Sequence, residues 1–85
     1  MASAFATPTG AQAKGTEMVL TFDVLAMGAD VPEGYTYFPS TVKVLPTDTA
    51  AALRTKISNQ IISDGASVGL TLPQTQLTLP TYSKG

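Results

Sequence analysis

One segment of the chain has the periodicity of an amphipathic helix, and its apolar stripe needs another layer to cover it. The stripe consists of Ala50, Leu53, Ile57 and Ile61, which recur at spacings of three and four residues. A chain of 85 residues supports one hydrophobic core and no second domain. The segments outside the helix must therefore supply the layer on which it packs.

Residues at both ends of this segment have the chemistry of helix caps. Thr49 or Asp48 can accept hydrogen bonds from the free N–H groups of the first turn. Asp64-Gly65 predicts the C-terminus, because Gly65 can adopt the left-handed conformation that follows many helices. The helix is therefore expected to close at Gly65.

Two β-rich runs precede the helix and favour an antiparallel pair of strands. Residues 18–27 alternate between two largely apolar faces, as a central strand covered on both sides does. Residues 35–45 are also β-rich, and Pro39 is expected to bend this strand or place it at a sheet edge. Between the runs, Val31-Pro32-Glu33-Gly34 has the signature of a type I turn.

Two short runs with strand-like alternation follow the helix. Leu70-Thr71-Leu72-Pro73 recurs as Leu77-Thr78-Leu79-Pro80, with a turn or short loop over residues 73–76. Residues 68–72 and 76–80 either pair with each other or belong to different edges. The expected fold is α+β: a small mixed or antiparallel sheet, in β-β-α-β or β-β-α-β-β order, with one helix packed on one face.

The first 17 residues have neither helical nor strand periodicity. They are mostly small and polar, with Ala, Thr, Gly, Ser and Gln predominating. We interpret residues 1–17 as an extended N-terminal arm and residues 18–85 as a single small α+β domain. Because ordering costs about 1–2 kcal/mol per residue, an ordered arm needs a surface to pack on. Phe5 is its candidate apolar anchor.

The start of the helix also carries a recognisable motif. Pro46-Thr47-Asp48-Thr49 leads into Leu53-Arg54-Thr55-Lys56-Ile57, and Pro73-Gln74-Thr75-Gln76-Leu77-Thr78-Leu79 follows downstream. With these motifs, residues 42–79 resemble the ubiquitin-like β-grasp. The resemblance implies a β-grasp-like sheet. The sequence departs from the family at Lys84-Gly85, where conjugated modifiers have paired glycines, so conjugation is not expected. Only six residues follow Leu79, so the sheet is expected to be incomplete, with an open edge for the chain's own arm or a partner's strand.

The residue types disfavour catalysis. The chain has no His and no Cys, which excludes imidazole acid–base chemistry, thiol catalysis, disulfides and ordinary zinc sites. No phosphate-binding glycine loop, calcium loop or serine nucleophile motif occurs. We therefore expect no enzymatic activity, no cofactor and no metal.

The charge pattern argues against nucleic acid, and the hydropathy pattern argues against a membrane. Charged residues make up 13% of the chain, about half of the roughly 25% usual in globular domains. Lys43, Arg54 and Lys56 alone give little affinity for phosphates. We expect no transmembrane segment, because no apolar run approaches 18 residues, and no secretory signal. Localisation stays open, and a virion or the cytoplasm is most compatible.

Protein–protein contact is the activity that the sequence favours. Low charge and Thr-rich strands fit a surface that meets other protein, and tyrosine is favoured at interfaces. Core packing is the alternative role for two of the aromatic residues, Tyr37 and Phe38. The candidate contact residues are Phe5, Met18, Leu20, Tyr35, Tyr37, Phe38 and Tyr82.

We therefore expect a non-enzymatic structural protein inside a larger assembly. Its most concrete form is a small virion component, such as a capsid cement or decoration protein or a tail protein. Residues 1–17 would lie on an adjacent subunit, by arm exchange or strand addition. The partner would be a second copy of the chain or a larger assembly protein such as a major capsid protein. The alternatives are a soluble ubiquitin-like β-grasp adaptor that binds one protein, and a small enzyme subunit whose chemistry another chain supplies.

Overall fold

The computed structural model of the chain describes residues 2–80, which contain four strands and one α-helix. The elements are β1 Ser3–Lys14, β2 Glu17–Met27, β3 Tyr35–Val44, α1 Ala50–Ser67 and β4 Leu77–Thr78. Two single-turn 3-10 segments, Pro32–Gly34 and Gln74–Gln76, lie in the connections.

All four strands belong to one mixed sheet with the order β3-β2-β1-β4. β2 is antiparallel to both of its neighbours, whereas the two-residue β4 is parallel to β1. Helix α1 packs against one face of the sheet. The expected α+β fold is confirmed, and a mixed sheet with one helix across one face is β-grasp-like.

The hydrophobic core lies between this face of the sheet and α1. Phe22 of β2 and three of the four predicted stripe residues, Leu53, Ile57 and Ile61, are fully buried. The fourth stripe residue, Ala50, is exposed because it is the first residue of the helix. The other buried hydrophobic residues are Ala2, Ala4, Leu20, Val24, Ala26, Val31, Phe38, Val42, Val44, Leu70 and Leu72.

Thr49 and Asp48 have separate roles at the start of the helix. The Thr49 hydroxyl is the N-cap and accepts a hydrogen bond from the Ala52 N–H at 3.1 Å. Asp48 instead accepts from the Leu45 N–H at 2.8 Å and from the Lys56 ammonium at 2.6 Å. The Asp48 carboxylate therefore ties the end of β3 to the second turn of the helix.

The helix ends at Ser67, so the prediction that Gly65 terminates it is wrong. Gly69 takes the left-handed position with φ 83°. The Leu70 N–H donates to the Gly65 carbonyl at 2.8 Å, and the Gly69 N–H donates to the Ala66 carbonyl at 3.0 Å. These two bonds form a Schellman motif, which satisfies carbonyls of the last turn.

The loop between β2 and β3 also differs from its prediction in one detail. Glu33 has φ 57° and ψ 13°, which lies in the left-handed region and is incompatible with a type I turn. The placement of β3 at a sheet edge agrees with the expectation from Pro39.

The N-terminal segment differs from its sequence appearance, because residues 3–14 form a full strand. The antiparallel pairing of β1 with β2 begins at Ser3, opposite Met27, and ends at Lys14, opposite Glu17. Gly15, with φ 66°, occupies the first position of the two-residue turn, as a type II′ hairpin turn requires. Of the two neighbours that the sequence allowed for β2, its own N-terminal segment or a partner's strand, the structure has the former.

The two C-terminal repeats do not pair with each other. Only Leu77–Thr78 forms a strand, and it lies beside Ala4 and Phe5 of β1. Residues 70–73 have no strand structure, yet Leu70 and Leu72 are buried in the core. The repeat therefore reflects two apolar segments that dock on the core in different ways.

Ser40 of β3 faces the helix, and its hydroxyl is buried without a hydrogen-bond partner. We expect Ser40→Ala to raise the free energy of unfolding by about 1 kcal/mol, because an unsatisfied buried hydroxyl costs about 1–3 kcal/mol. Urea unfolding followed by circular dichroism measures the change. Thr41→Ala, next in the strand and exposed, should shift stability by less than about 0.5 kcal/mol. A loss of stability in Ser40→Ala would contradict the assignment of an unpaired hydroxyl.

Candidate functional site

The face of the sheet opposite α1, here called the open face, carries a group of large apolar side chains. Residues that pair directly across strands share a face. Phe5, Leu25 and Tyr37 form one such row across β1, β2 and β3, and Ser3, Met27 and Tyr35 form the next. The five large residues of the two rows, Phe5, Leu25, Met27, Tyr35 and Tyr37, are the aromatic patch.

The side chains of the aromatic patch are exposed far beyond what is usual for large apolar groups. Phe5 is 48% exposed, Met27 45%, Tyr35 54% and Tyr37 65%, while Leu25 is partly buried between them. The rings of Tyr35 and Tyr37 meet edge to face, with centroids 6.0 Å apart and planes at 75°. This packing is the favoured arrangement for aromatic pairs, so each tyrosine helps to hold the other in place.

A shallow groove runs between the members of the patch on β2 and β3. It has a volume of about 330 Å³ and is lined by Leu25, Met27, Tyr35 and Tyr37. Its walls combine aromatic faces with a flexible methionine, which adapts to irregular apolar surfaces. The groove therefore offers apolar and aromatic contacts.

The two rows of the patch contain no charged residue. The first charge on the open face is Asp23, in the next row between Thr7 and Pro39. Lys43 lies two rows further on, opposite Val19. Interface centres are depleted in charge and enriched in aromatic residues and Met, with polar groups at the rim. The patch and its surroundings have this composition.

The structure brings together three of the seven predicted contact residues, Phe5, Tyr35 and Tyr37. Met18 is 39% exposed but pairs with Ala13 and Val44, on the helix side of the sheet and at its other end. Leu20 and Phe38 are core residues, 3% and 5% exposed, so they are not available for contact. Tyr82 lies outside the described residues.

Sequence reasoning missed Leu25 and Met27, although the alternation of β2 contains the signal. Their set of alternate positions also includes Asp23 and Glu17, and a charged residue on one side of a strand indicates the solvent face. The other set has no charge between Met18 and Ala26. Taking both sets as apolar concealed the difference between the core face and the open face.

The two edges of the sheet differ in how open they are to an added strand. β3 is an edge strand, but Pro39 at its middle has no N–H to donate to an added strand. On the other side of the sheet, β4 covers β1 only at Ala4 and Phe5. The strand that was expected to be open, β2, lies between two neighbours.

No group of three or more acidic, His or Cys side chains that could hold a metal lies within residues 2–80. In the same part of the chain, no helix has both the length and the apolar character needed to cross a membrane. The chemistry that the aromatic patch offers is apolar and aromatic contact. No protein-family model, curated protein or solved structure matches the chain.

Proposed function

We propose that the chain is a non-enzymatic structural protein that acts by protein–protein contacts within a larger assembly. The observation that carries the proposal is the aromatic patch, in which Tyr35, Tyr37, Phe5 and Met27 are about half exposed in two uncharged rows. The largest exposed apolar patch on a protein, typically about 300–600 Å² in area, is often a functional surface. Residue composition supports the same reading, since a chain without His or Cys lacks the commonest catalytic groups.

The finer form of the proposal is a small virion component, such as a capsid cement or decoration protein or a tail protein. A repeating lattice offers many identical contact sites, so a small rigid sheet with one apolar face is sufficient to bind it. In this form the partner is a second copy of the chain or a larger assembly protein such as a major capsid protein. The contact surface is the open face, to which β1 contributes Phe5 from within the sheet.

Sedimentation of material from the chain's native source tests this proposal. We expect the wild-type chain, followed by antibody, to co-sediment with nuclease-protected nucleic acid in a density gradient. Phe5→Asp should move most of the chain to the top of the gradient, because a carboxylate in the centre of an apolar contact is desolvated without a partner. Thr55→Asp adds the same charge on the exposed side of α1 and should leave the sedimentation unchanged.

A wild-type chain that stays among free small proteins would contradict the virion proposal. The second candidate, a β-grasp-like adaptor that binds one protein, is favoured by the mixed sheet with a single helix on one face. It predicts one complex of low mass, lost in Phe5→Asp and kept in Thr55→Asp. The sedimentation coefficient of the wild-type complex therefore separates the two candidates.

A further inference from the structure

We propose that the aromatic patch binds the same patch of a second copy of the chain, so that two sheets pack face to face in a two-fold dimer. This inference rests on the proposed function, because it names the partner of the surface on which that function depends. Two properties of the open face lead to it: its area and the position of its charges.

The area of the patch matches the centre of one ordinary protein interface. With about 200 Å² of surface for each large side chain, the exposed fractions of Phe5, Met27, Tyr35 and Tyr37 amount to roughly 400 Å². A standard interface buries about 800 Å² on each partner. The uncharged residues that continue the open face add to this area; they are Thr7, Thr21, Pro39, Thr41 and Thr78. One partner with a face of equal size therefore covers the whole patch.

A second copy supplies a face of this size and shape. Two sheet faces pack about 10 Å apart with interdigitating side chains, as in a β-sandwich. The centres of homodimer interfaces are also the more apolar class of interface. Packing of one patch on another places aromatic and methionine side chains against each other and buries no charge from the two central rows.

The position of Asp23 selects the direction of the two-fold axis. Asp23 lies on β2, the middle of the three long strands. An axis along β2 would place the two Asp23 carboxylates over each other, and facing like charges are unfavourable. An axis across the strands, midway between the row of Phe5, Leu25 and Tyr37 and the row of Ser3, Met27 and Tyr35, places each of these rows over the partner's other row and leaves Asp23 beyond the partner's patch.

Sedimentation equilibrium of the purified chain, from micromolar to millimolar concentration, tests the dimer. We expect twice the monomer mass for the wild type, and a rise in the dimer Kd of roughly thirtyfold or more in Tyr37→Lys, as for a hot-spot residue. Asn59→Lys adds the same charge to the exposed side of α1 and should leave Kd unchanged. A wild type that is monomeric throughout, or a Kd equal in Tyr37→Lys and wild type, would overturn the proposal.

Cross-linking provides a second test, since the natural chain has no Cys to interfere. Leu25→Cys lies beside the proposed axis and should form a covalent dimer with a short thiol cross-linker. Asn59→Cys, on the outer side of the helix, should stay monomeric. Equal cross-linking of the two variants would contradict the face-to-face arrangement.

Failure of the dimer and failure of the proposed function give different results. A monomeric chain that still needs Phe5 to sediment with particles would disprove the second copy as the partner and leave the assembly role in place. The reverse result is a chain that forms a dimer, loses it in Tyr37→Lys and never sediments with particles from its native source. That result would disprove the virion role and support the dimer.

Discussion

Ala26→Asp is expected to lower the free energy of unfolding of the chain by roughly 4 kcal/mol or more, whereas Met27→Asp leaves the monomer about as stable as wild type. The two residues are neighbours on β2 and receive the same substitution. Ala26 is fully buried against the helix, while Met27 is 45% exposed on the open face. A carboxylate at position 26 loses its hydration without a partner, which costs roughly 4 kcal/mol or more. The total stability expected for a chain of 85 residues is only about 4–13 kcal/mol.

Circular dichroism and urea unfolding of the two variants measure this difference. At chain concentrations below the dimer Kd, where dimerisation does not contribute, Met27→Asp should stay within about 0.5 kcal/mol of wild type in stability, as surface substitutions do. It should also weaken the dimer, because it places a charge in the aromatic patch. Similar stability losses in the two variants would contradict the assignment of the two faces, since a one-residue slip of β2 exchanges every side chain between them.

The first strand shows why part of the fold could not be predicted from the sequence. Pro8 pairs with Phe22 and Gly10 with Thr21, so Thr9 is an extra residue in a β-bulge. Before the bulge, even-numbered residues of β1 face the helix; after it, odd-numbered residues do. A bulge therefore interrupts the period of two, and the exposed small residues on either side give no apolar signal. The Gly15-Thr16 turn was the one local sign of a hairpin.

The candidate site could be predicted in part. Tyr35 and Tyr37 were identified as contact residues from their type, and Phe5 as an anchor, and all three lie in the aromatic patch. Their proximity depends on the pairing of Phe5 with Leu25, which the bulged first strand hides. Leu20 and Phe38 were chosen by the same criteria but belong to the core. Residue type alone does not show the side of a strand; a charged residue in the same alternate set does.

The helix C-terminus shows a different limit, since Gly65 has two possible reasons to be glycine. Its sequence position after Asp64 fits a cap, but the structure places it in the last turns of α1 with a buried backbone. A Cβ at this position would lie 2.7 Å from Leu72 Cδ1 and 3.6 Å from Phe38 Cζ. Carbon atoms pack favourably at about 3.5–4.0 Å. A side chain at position 65 would therefore displace the end of the Leu72 side chain, and sequence separation conceals this contact.

Gly65→Val is expected to lower the free energy of unfolding by about 2–3 kcal/mol. Overpacking of a filled core costs about 1–3 kcal/mol, and replacement of a helical glycine returns only a few tenths of a kcal/mol when the new residue is β-branched. Leu72 is 3% exposed and held in the core, so it cannot turn into solvent without losing its own contacts. Thermal and urea unfolding of the variant measure the loss.

The double variant Gly65→Val/Leu72→Ala identifies the contact responsible. Leu72→Ala alone should cost about 2–4 kcal/mol through the cavity that it leaves. In the double variant the valine side chain enters that space, so the combined loss should be smaller than the sum of the single losses by at least about 1 kcal/mol. Gly65→Val combined with Leu70→Ala is the matched control. Leu70 is also buried, but none of the three atoms nearest to a Cβ at position 65 belongs to it. Additive losses in the variant with Leu72→Ala would show that the glycine is kept for another reason. A smaller combined loss with Leu72→Ala, but not with Leu70→Ala, would show that this contact positions the end of the helix.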